Sequence, residues 1–203
     1  MECLSSYTLE SRLSYLYSLR AVSDEKMKLI LFSGLPGTGK SVLSEEIAQI
    51  LQIPVFSLDW VLGAMLLSEF RVQKQGFYIT TAEALLTMLT QRQFMLGQSV
   101  ILDIPANTIA ERKRWQNLAQ SHSAAFYGIE TICSERSLHR QRVESRRRKI
   151  PGWHDTVHWS HVEQMRLVRE AWTADEGEYL TIDAVHLKDK NVQTILKYVE
   201  EST

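Results

Sequence analysis

The feature that most constrains this chain is the octapeptide Gly34-Leu35-Pro36-Gly37-Thr38-Gly39-Lys40-Ser41. It follows the apolar run Lys28–Ser33 and opens a helix-patterned stretch, Ser41–Leu51. Every fixed position of G-x-x-x-x-G-K-[ST] is filled, in the strand–loop–helix context the motif needs. The glycines let the backbone turn its N–H groups inward around an anion, and the helix start aims its positive end at the same point. Gly34, Pro36, Gly37, Thr38, Gly39, Lys40, Ser41 and Val42 are therefore the expected phosphate-contacting residues. In such a loop the lysine reaches the β- and γ-phosphates of a nucleoside triphosphate, and the Ser41 hydroxyl is the expected Mg²⁺ ligand.

The rest of the chain repeats the strand–helix alternation. Pro54–Ser57, Ser99–Asp103, Ala125–Cys133 and Glu178–Asp183 read as further strands. Helices are expected at Asp59–Phe70, Thr80–Leu96, Asn107–Gln120, Glu135–Arg148, His158–Trp172 and Asn191–Glu200. Alternation of this kind implies a parallel sheet covered on both faces. The expected class is α/β: a P-loop NTPase, three-layer α/β/α, with a five-stranded parallel sheet and a helical arginine-rich lid. Residues 1–25 form an expected N-terminal helical extension, with Leu4, Leu9, Leu13, Leu16, Tyr17 and Leu19 at helical spacing; 26–203 form the main domain, with a lid at about 136–160.

Two carboxylates stand where strand ends line a ligand crevice. Asp59 directly follows the second strand, capping the next helix and able to accept the proton of an attacking hydroxyl. Asp103 ends Val100-Ile101-Leu102-Asp103, an apolar run closed by a carboxylate that suits Mg²⁺ or, alternatively, an acceptor substrate. Ile104 and Pro105 follow it, where hydrolytic motors carry a glutamate.

The charge balance is flat, 23 Lys+Arg against 24 Asp+Glu, which excludes a protein drawn bodily onto nucleic acid or an acidic membrane. Inside that average lies a basic segment: Arg136, Arg140, Arg142, Arg146, Arg147, Arg148 and Lys149. On a continuous helix Arg142 and Arg146 share one face and can clamp phosphates. Arg112, Lys113 and Arg114 read as a solvated helix face. His154, His158 and His161 have helical spacing, but no cysteine or carboxylate completes a metal site, and Ser160-x-x-Glu163 resembles a capping box. Cys3 and Cys133 match no disulfide or metal spacing, no secretory signal opens the chain and no apolar run reaches membrane length. These point to a soluble cytoplasmic protein.

The ordered set GLPGTGKS, SLDW, FMLGQSVILD, ANTIAERKRWQNLA and CSERSLHRQRVESRRR, over residues 28–183, resembles small P-loop kinases related to the kinase domain of polynucleotide kinase. The related members labelled AAA-family ATPases are similar too, with zeta toxins, chloramphenicol phosphotransferase and gluconate kinase more distant. The resemblance implies an ATP- and Mg²⁺-dependent kinase. Lys40, Asp59, Arg142 and Arg146 fall on its catalytic positions, with Arg147 as a near alternative for the lid, and Ser41 and Asp103 on the metal. Polynucleotide kinases carry basic residues soon after the first of these carboxylates, whereas here Trp60–Leu67 is apolar and Arg71 and Lys74 come later. That departure favours a small-molecule hydroxyl over a polynucleotide 5′-hydroxyl; a regulatory ATPase without an acceptor is the third reading.

Overall fold

A computed structural model describes residues 26–68, 76–152 and 157–201. The expected N-terminal helix, Cys3, Arg71, Lys74 and His154 lie outside the described residues. The strands are β1 (Lys28–Gly34), β2 (Val55–Ser57), β3 (Val100–Asp103), β4 (Ala125–Ile132) and β5 (Tyr179–Asp183). All pair in parallel, in the order β2-β3-β1-β4-β5. The helices are α1 (Lys40–Leu51), α2 (Leu58–Leu67), α3 (Phe77–Met95), α4 (Ile109–Ser121), α5 (Arg136–Ser145), α6 (Trp159–Val168) and α7 (Lys188–Glu201).

Strand alternation sorts the core into two layers. Leu29, Leu31, Val100 and Leu102 face α2, α3 and α4, where Leu62, Leu86, Phe94 and Trp115 cover them. Ile30, Phe32, Ile101 and Ile129 face the other way onto α1 and α7, against Leu43, Ile47, Val192 and Ile195. Each such side chain, fully buried, stabilises by about 1.5–3 kcal/mol. A third, small cluster of Leu35, Val143 and Val162 joins the phosphate loop to α5 and α6, so the lid has a core of its own.

Register brings the strand ends to one rim. Asp103 pairs with Phe32 on one side and Ser57 on the other, and Gly34 pairs with Thr131. The phosphate loop, the start of α2 and the end of β3 therefore share one edge. Thr108 caps α4 with a full capping box to Glu111.

Four local expectations are corrected. The helix expected to Arg148 stops at Ser145, and Arg146 is extended (φ −60, ψ 130). Arg142 and Arg146 repel at i,i+4, and Ile150 is turned from helical geometry by Pro151. The helix expected to Trp172 stops at Val168: Arg169 bonds Asn107 and Glu130, Glu170 N–H donates to the Asn107 carbonyl, and Trp172 Nε1 donates to Ser33 Oγ, drawing the chain straight. No capping box forms at Ser160, because α6 already begins at Trp159 after His158.

The fourth correction concerns Arg112, which is neither solvated nor facing an anion site; its side chain is 1% exposed. It forks onto Glu176 at 2.6 and 3.0 Å and donates to the carbonyls of Ala106, Glu170 and Ala171. Among the described residues no helix is long and apolar enough to cross a membrane.

Candidate active site

The phosphate loop takes its shape from glycines that no other residue replaces. Gly34 (φ 142) would place a Cβ 2.3 Å from the Thr131 carbonyl, and Gly37 (φ 84) would place one 2.7 Å from Val143 Cγ2. Gly39, also left-handed, precedes α1. Thr38 is turned inward, its hydroxyl 2.8 Å from the Leu35 carbonyl and 2.7 Å from Thr131 Oγ1, so its side chain serves the loop's curvature. Pro36 is held through its carbonyl, which accepts from His139 Nε2 at 2.7 Å. Val42 is half-exposed on α1 and lines the cavity above the loop.

Lys40 folds back across the loop, donating to the carbonyls of Gly34 (2.7 Å) and Leu35 (3.1 Å). Burial pushes its ammonium down to about 8; Asp103 opposes the fall, and Arg146, Arg169 and Arg148 add to it. An anion bound there would add to Asp103 in favouring the charged form.

Asp103 is buried, accepting from Ser57 Oγ at 3.2 Å. Asp59 lies in the first turn of α2 and pairs with Arg146 at 3.4 Å. Arg148, which the sequence reading left as one basic residue among seven, is the central side chain. It contacts the Asp59 carboxylate, donates to Ser41 Oγ at 2.7 Å and lies 3.8 Å from Asp103 Oδ2. Arg142 diverges from Arg146 and donates to the Ala184 carbonyl at 3.0 Å, on the β5 side of the loop. The two lid arginines thus bracket the site from opposite sides and share no helix face.

His139 is the other residue that sequence reasoning passed over. Its ring joins α5 to the phosphate loop at Pro36, and Nδ1 accepts from Arg166 Nη2 at 3.3 Å. Gly63 was the available signal for Arg148. An isolated glycine in an apolar helix marks a close crossing, and here the lid's return at Ile150–Pro151 crosses α2 over it.

Beside these groups lies a cavity of about 630 Å³ whose walls include Lys40, Ser41, Trp60, Arg142, Arg146 and His186. Glu45, also on the wall, is held above the usual carboxylate range, first by burial and then by the Asp103 charge. Hard oxygens from Ser41, Asp59 and Asp103 converge on one cationic group, a donor set that suits Mg²⁺. Among the described residues no cluster of three or more His, Cys, Asp or Glu is arranged to hold a metal.

A family model described as AAA domain matches residues 29–172. No curated protein matches the chain significantly. Among solved structures, a sugar kinase from Janibacter sp. HTCC2649 superposes with a TM-score of 0.62 at 13% identity, covering 87% of this chain and 95% of that one. A gluconokinase from Sinorhizobium meliloti 1021 gives 0.59 at 17% identity over 86% and 93%. Chaetomium thermophilum Kti12, in complex with ADP-AlF3, gives 0.63 at 15% identity over 84% and 98%. At these identities the likeness is one of fold, and it matches the small P-loop kinase resemblance carried by the motifs.

Proposed function

Since the chain belongs to the AAA domain family, we propose that it is an ATP- and Mg²⁺-dependent kinase transferring the γ-phosphoryl group to a hydroxyl of a small molecule. The observation that carries this reading is that Asp59, Asp103 and Ser41 meet at the guanidinium of Arg148, beside the cavity that Lys40, Ser41 and the lid arginines line. Structural neighbours that are sugar and gluconate kinases support it.

In this reading the loop amides and Lys40 hold the phosphates, and Ser41 and Asp103 would hold Mg²⁺. Bound there, the ion neutralises charge on the β- and γ-phosphate oxygens. Asp59 orients the acceptor hydroxyl and takes its proton as the acceptor O–P bond forms and the bond to the β-phosphate oxygen breaks. Arg142 and Arg146 approach the phosphates from either side, where their fixed charge stabilises the transferring group. Trp60, half-exposed on the cavity wall beside Asp59, gives the acceptor an apolar surface.

In this reading the lid spans about 136–160, 26–203 is the P-loop kinase-like domain and 1–25 is an N-terminal extension. A cytoplasmic setting suits Cys133, a buried free thiol.

The test is a labelled-ATP screen over sugars, nucleosides, aminoglycosides and 5′-hydroxyl oligonucleotides. Label on a small hydroxyl compound supports the proposal. Label on oligonucleotides alone transfers it to a polynucleotide kinase. Nucleotide binding with no labelled acceptor overturns the kinase reading in favour of a regulatory ATPase.

A further inference from the structure

The Arg148 guanidinium and a Mg²⁺ ion ask for the same oxygens. Arg148 Nη1 contacts Asp59, Nη2 donates to Ser41 Oγ at 2.7 Å, and Nη2 stands 3.8 Å from Asp103 Oδ2. Those three groups come from three elements, α2, α1 and β3. The arginine reaching across them comes from a fourth part of the chain, the lid's return. Its side chain is 10% exposed, Asp59's is 25% and Asp103's is 5%, so the pairing is largely shielded from water and weakly screened.

A guanidinium has five donors and no acceptor, so its fork satisfies several oxygens at once. A magnesium ion requires oxygens at about 2.0–2.1 Å. An ion bound to Ser41 Oγ would lie within a few ångströms of Nη2, cation against cation. The two positive charges therefore exclude one another.

We propose that Arg148 is a metal-displaced gate. Anchored on Asp59, it occupies the Ser41 and Asp103 oxygens in competition with Mg²⁺, and it leaves them when the ion arrives, alone or with its nucleotide. The inference rests on the kinase reading only in taking Ser41 and Asp103 as the metal-facing pair. Displacement has two consequences. The freed guanidinium gains phosphate oxygens as new partners, which suit its fork. Asp59, relieved of Arg148 and left with Arg146 at 3.4 Å, gains a free oxygen for an acceptor hydroxyl, so the ion precedes the acceptor in the binding order. The backbone near Arg148 is held: Ile150, two residues on, is buried, and its Cγ2 lies where a Cβ on Gly63 would come within 2.7 Å. Release of the guanidinium is thus a side-chain movement about a fixed strut.

The experiment measures Mn²⁺ binding to the full chain by electron paramagnetic resonance, without nucleotide, in wild type, Arg148→Gln and Arg148→Lys. Removing a unit charge a few ångströms from the ion should tighten Mn²⁺ binding by about tenfold or more in Arg148→Gln. Arg148→Lys keeps the charge without the fork and should fall between the two. In Arg148→Ala, millimolar guanidinium should weaken Mn²⁺ binding back toward wild type, a rescue that a merely structural arginine would not show. Equal Mn²⁺ affinity in wild type and variants, or no effect of guanidinium, overturns the gate. If Arg148→Gln does not fold, the lysine variant decides: affinity equal to wild type overturns the proposal. Tightened Mn²⁺ binding together with an empty acceptor screen would keep the gate and remove the kinase, and the opposite pattern would keep the kinase and remove the gate.

Discussion

Gly63 in α2 and Ile150 in the lid's return cross so closely that a Cβ on the glycine would come to 2.7 Å from Ile150 Cγ2, and equally close to the Pro151 carbonyl. Helix propensity alone would favour alanine at Gly63 by about 1 kcal/mol. The crossing should reverse that sign, because the obstruction includes backbone that cannot rotate away. Gly63→Ala is expected to lower stability by about 1–3 kcal/mol, the usual cost of overpacking. Because the same strut carries Arg148, nucleotide affinity should change as well. Denaturant unfolding and a fluorescent-nucleotide titration check both; a stabilised variant would refute the close crossing.

Asp59 is the carboxylate on which the proposed chemistry turns. Asp59→Asn keeps the shape of the side chain and removes its basicity. Phosphoryl transfer should fall by about 10²–10⁴-fold, the range for loss of a general base. ATP affinity should stay within a few-fold, since the proposed reading gives the phosphates to Lys40 and the loop. Steady-state kinetics and equilibrium binding on the same sample separate the two. Full activity in the asparagine variant would take the role away from Asp59.

Lys40 links the site to pH. With its folded pKa brought down to about 8 from an ordinary 10.5, the folded protein binds fewer protons than the unfolded chain between those values. Stability should therefore rise as pH goes from about 8 to 10.5. Nucleotide phosphates restore the charged form, so binding near pH 9 should take up a fraction of a proton, and binding near pH 6.5 almost none through this group. Calorimetry in buffers of different ionisation enthalpy measures the uptake. It should vanish in Lys40→Met.

Much of this site is legible in the residues themselves, and the division follows the range of the interactions. The loop, Asp59 and Asp103 are readable because they follow apolar runs, and a parallel sheet brings such strand ends to one rim. The arginine that enters the rim is not readable in this way. That Arg148 joins Arg146 at Asp59 depends on where α5 ends, and a contact with Gly63, 87 residues before Ile150, helps fix the segment beyond it. Arg112 shows the same limit. It sits in a charged triplet that looks solvated, and only its partner Glu176, 64 residues away, reveals that it is buried.

His139 reports on the lid's grip on the phosphate loop. Its Nε2 donates to the Pro36 carbonyl, while Nδ1 faces a guanidinium that can only donate, so the neutral Nε2–H tautomer is the one that fits. Burial first, and then the charges of Arg166, Lys40 and Arg142, hold its pKa below the ordinary 6.5; the Pro36 bond resists the fall. The folded state then resists a proton that the unfolded chain accepts, so stability should decline as pH falls through about 6.5. Protonation removes the Nδ1 acceptor from Arg166 and sets two cations together, while the Nε2–H bond to Pro36 stays; nucleotide affinity should decline with stability as α6 is pushed from α5. His139→Gln, which retains a donor without titrating, should flatten that part of both profiles. Wild-type profiles flat between pH 5 and 7.5 would show that the ring does not control the loop.

The Arg112–Glu176 pair should dominate the stability of the α4 side of the sheet. Both side chains are 1% exposed, and the guanidinium also lies 4.7 Å over the Trp172 ring. Burial alone would raise the Glu176 carboxyl, but hydrogen bonds from Arg112 and Thr173 outweigh it and hold the group below the usual carboxylate range. Its stabilising contribution is thus present at neutral pH and is lost as pH falls through that depressed value. Arg112→Met leaves a buried, unpaired carboxylate and should cost about 3–5 kcal/mol. Removing both charges in Arg112→Met/Glu176→Met should recover a large part of that loss. A urea-unfolding double-mutant cycle reads the coupling directly. Additive losses would mean that the two groups stabilise the fold independently, through packing against Trp172 and the carbonyls of Ala106, Glu170 and Ala171.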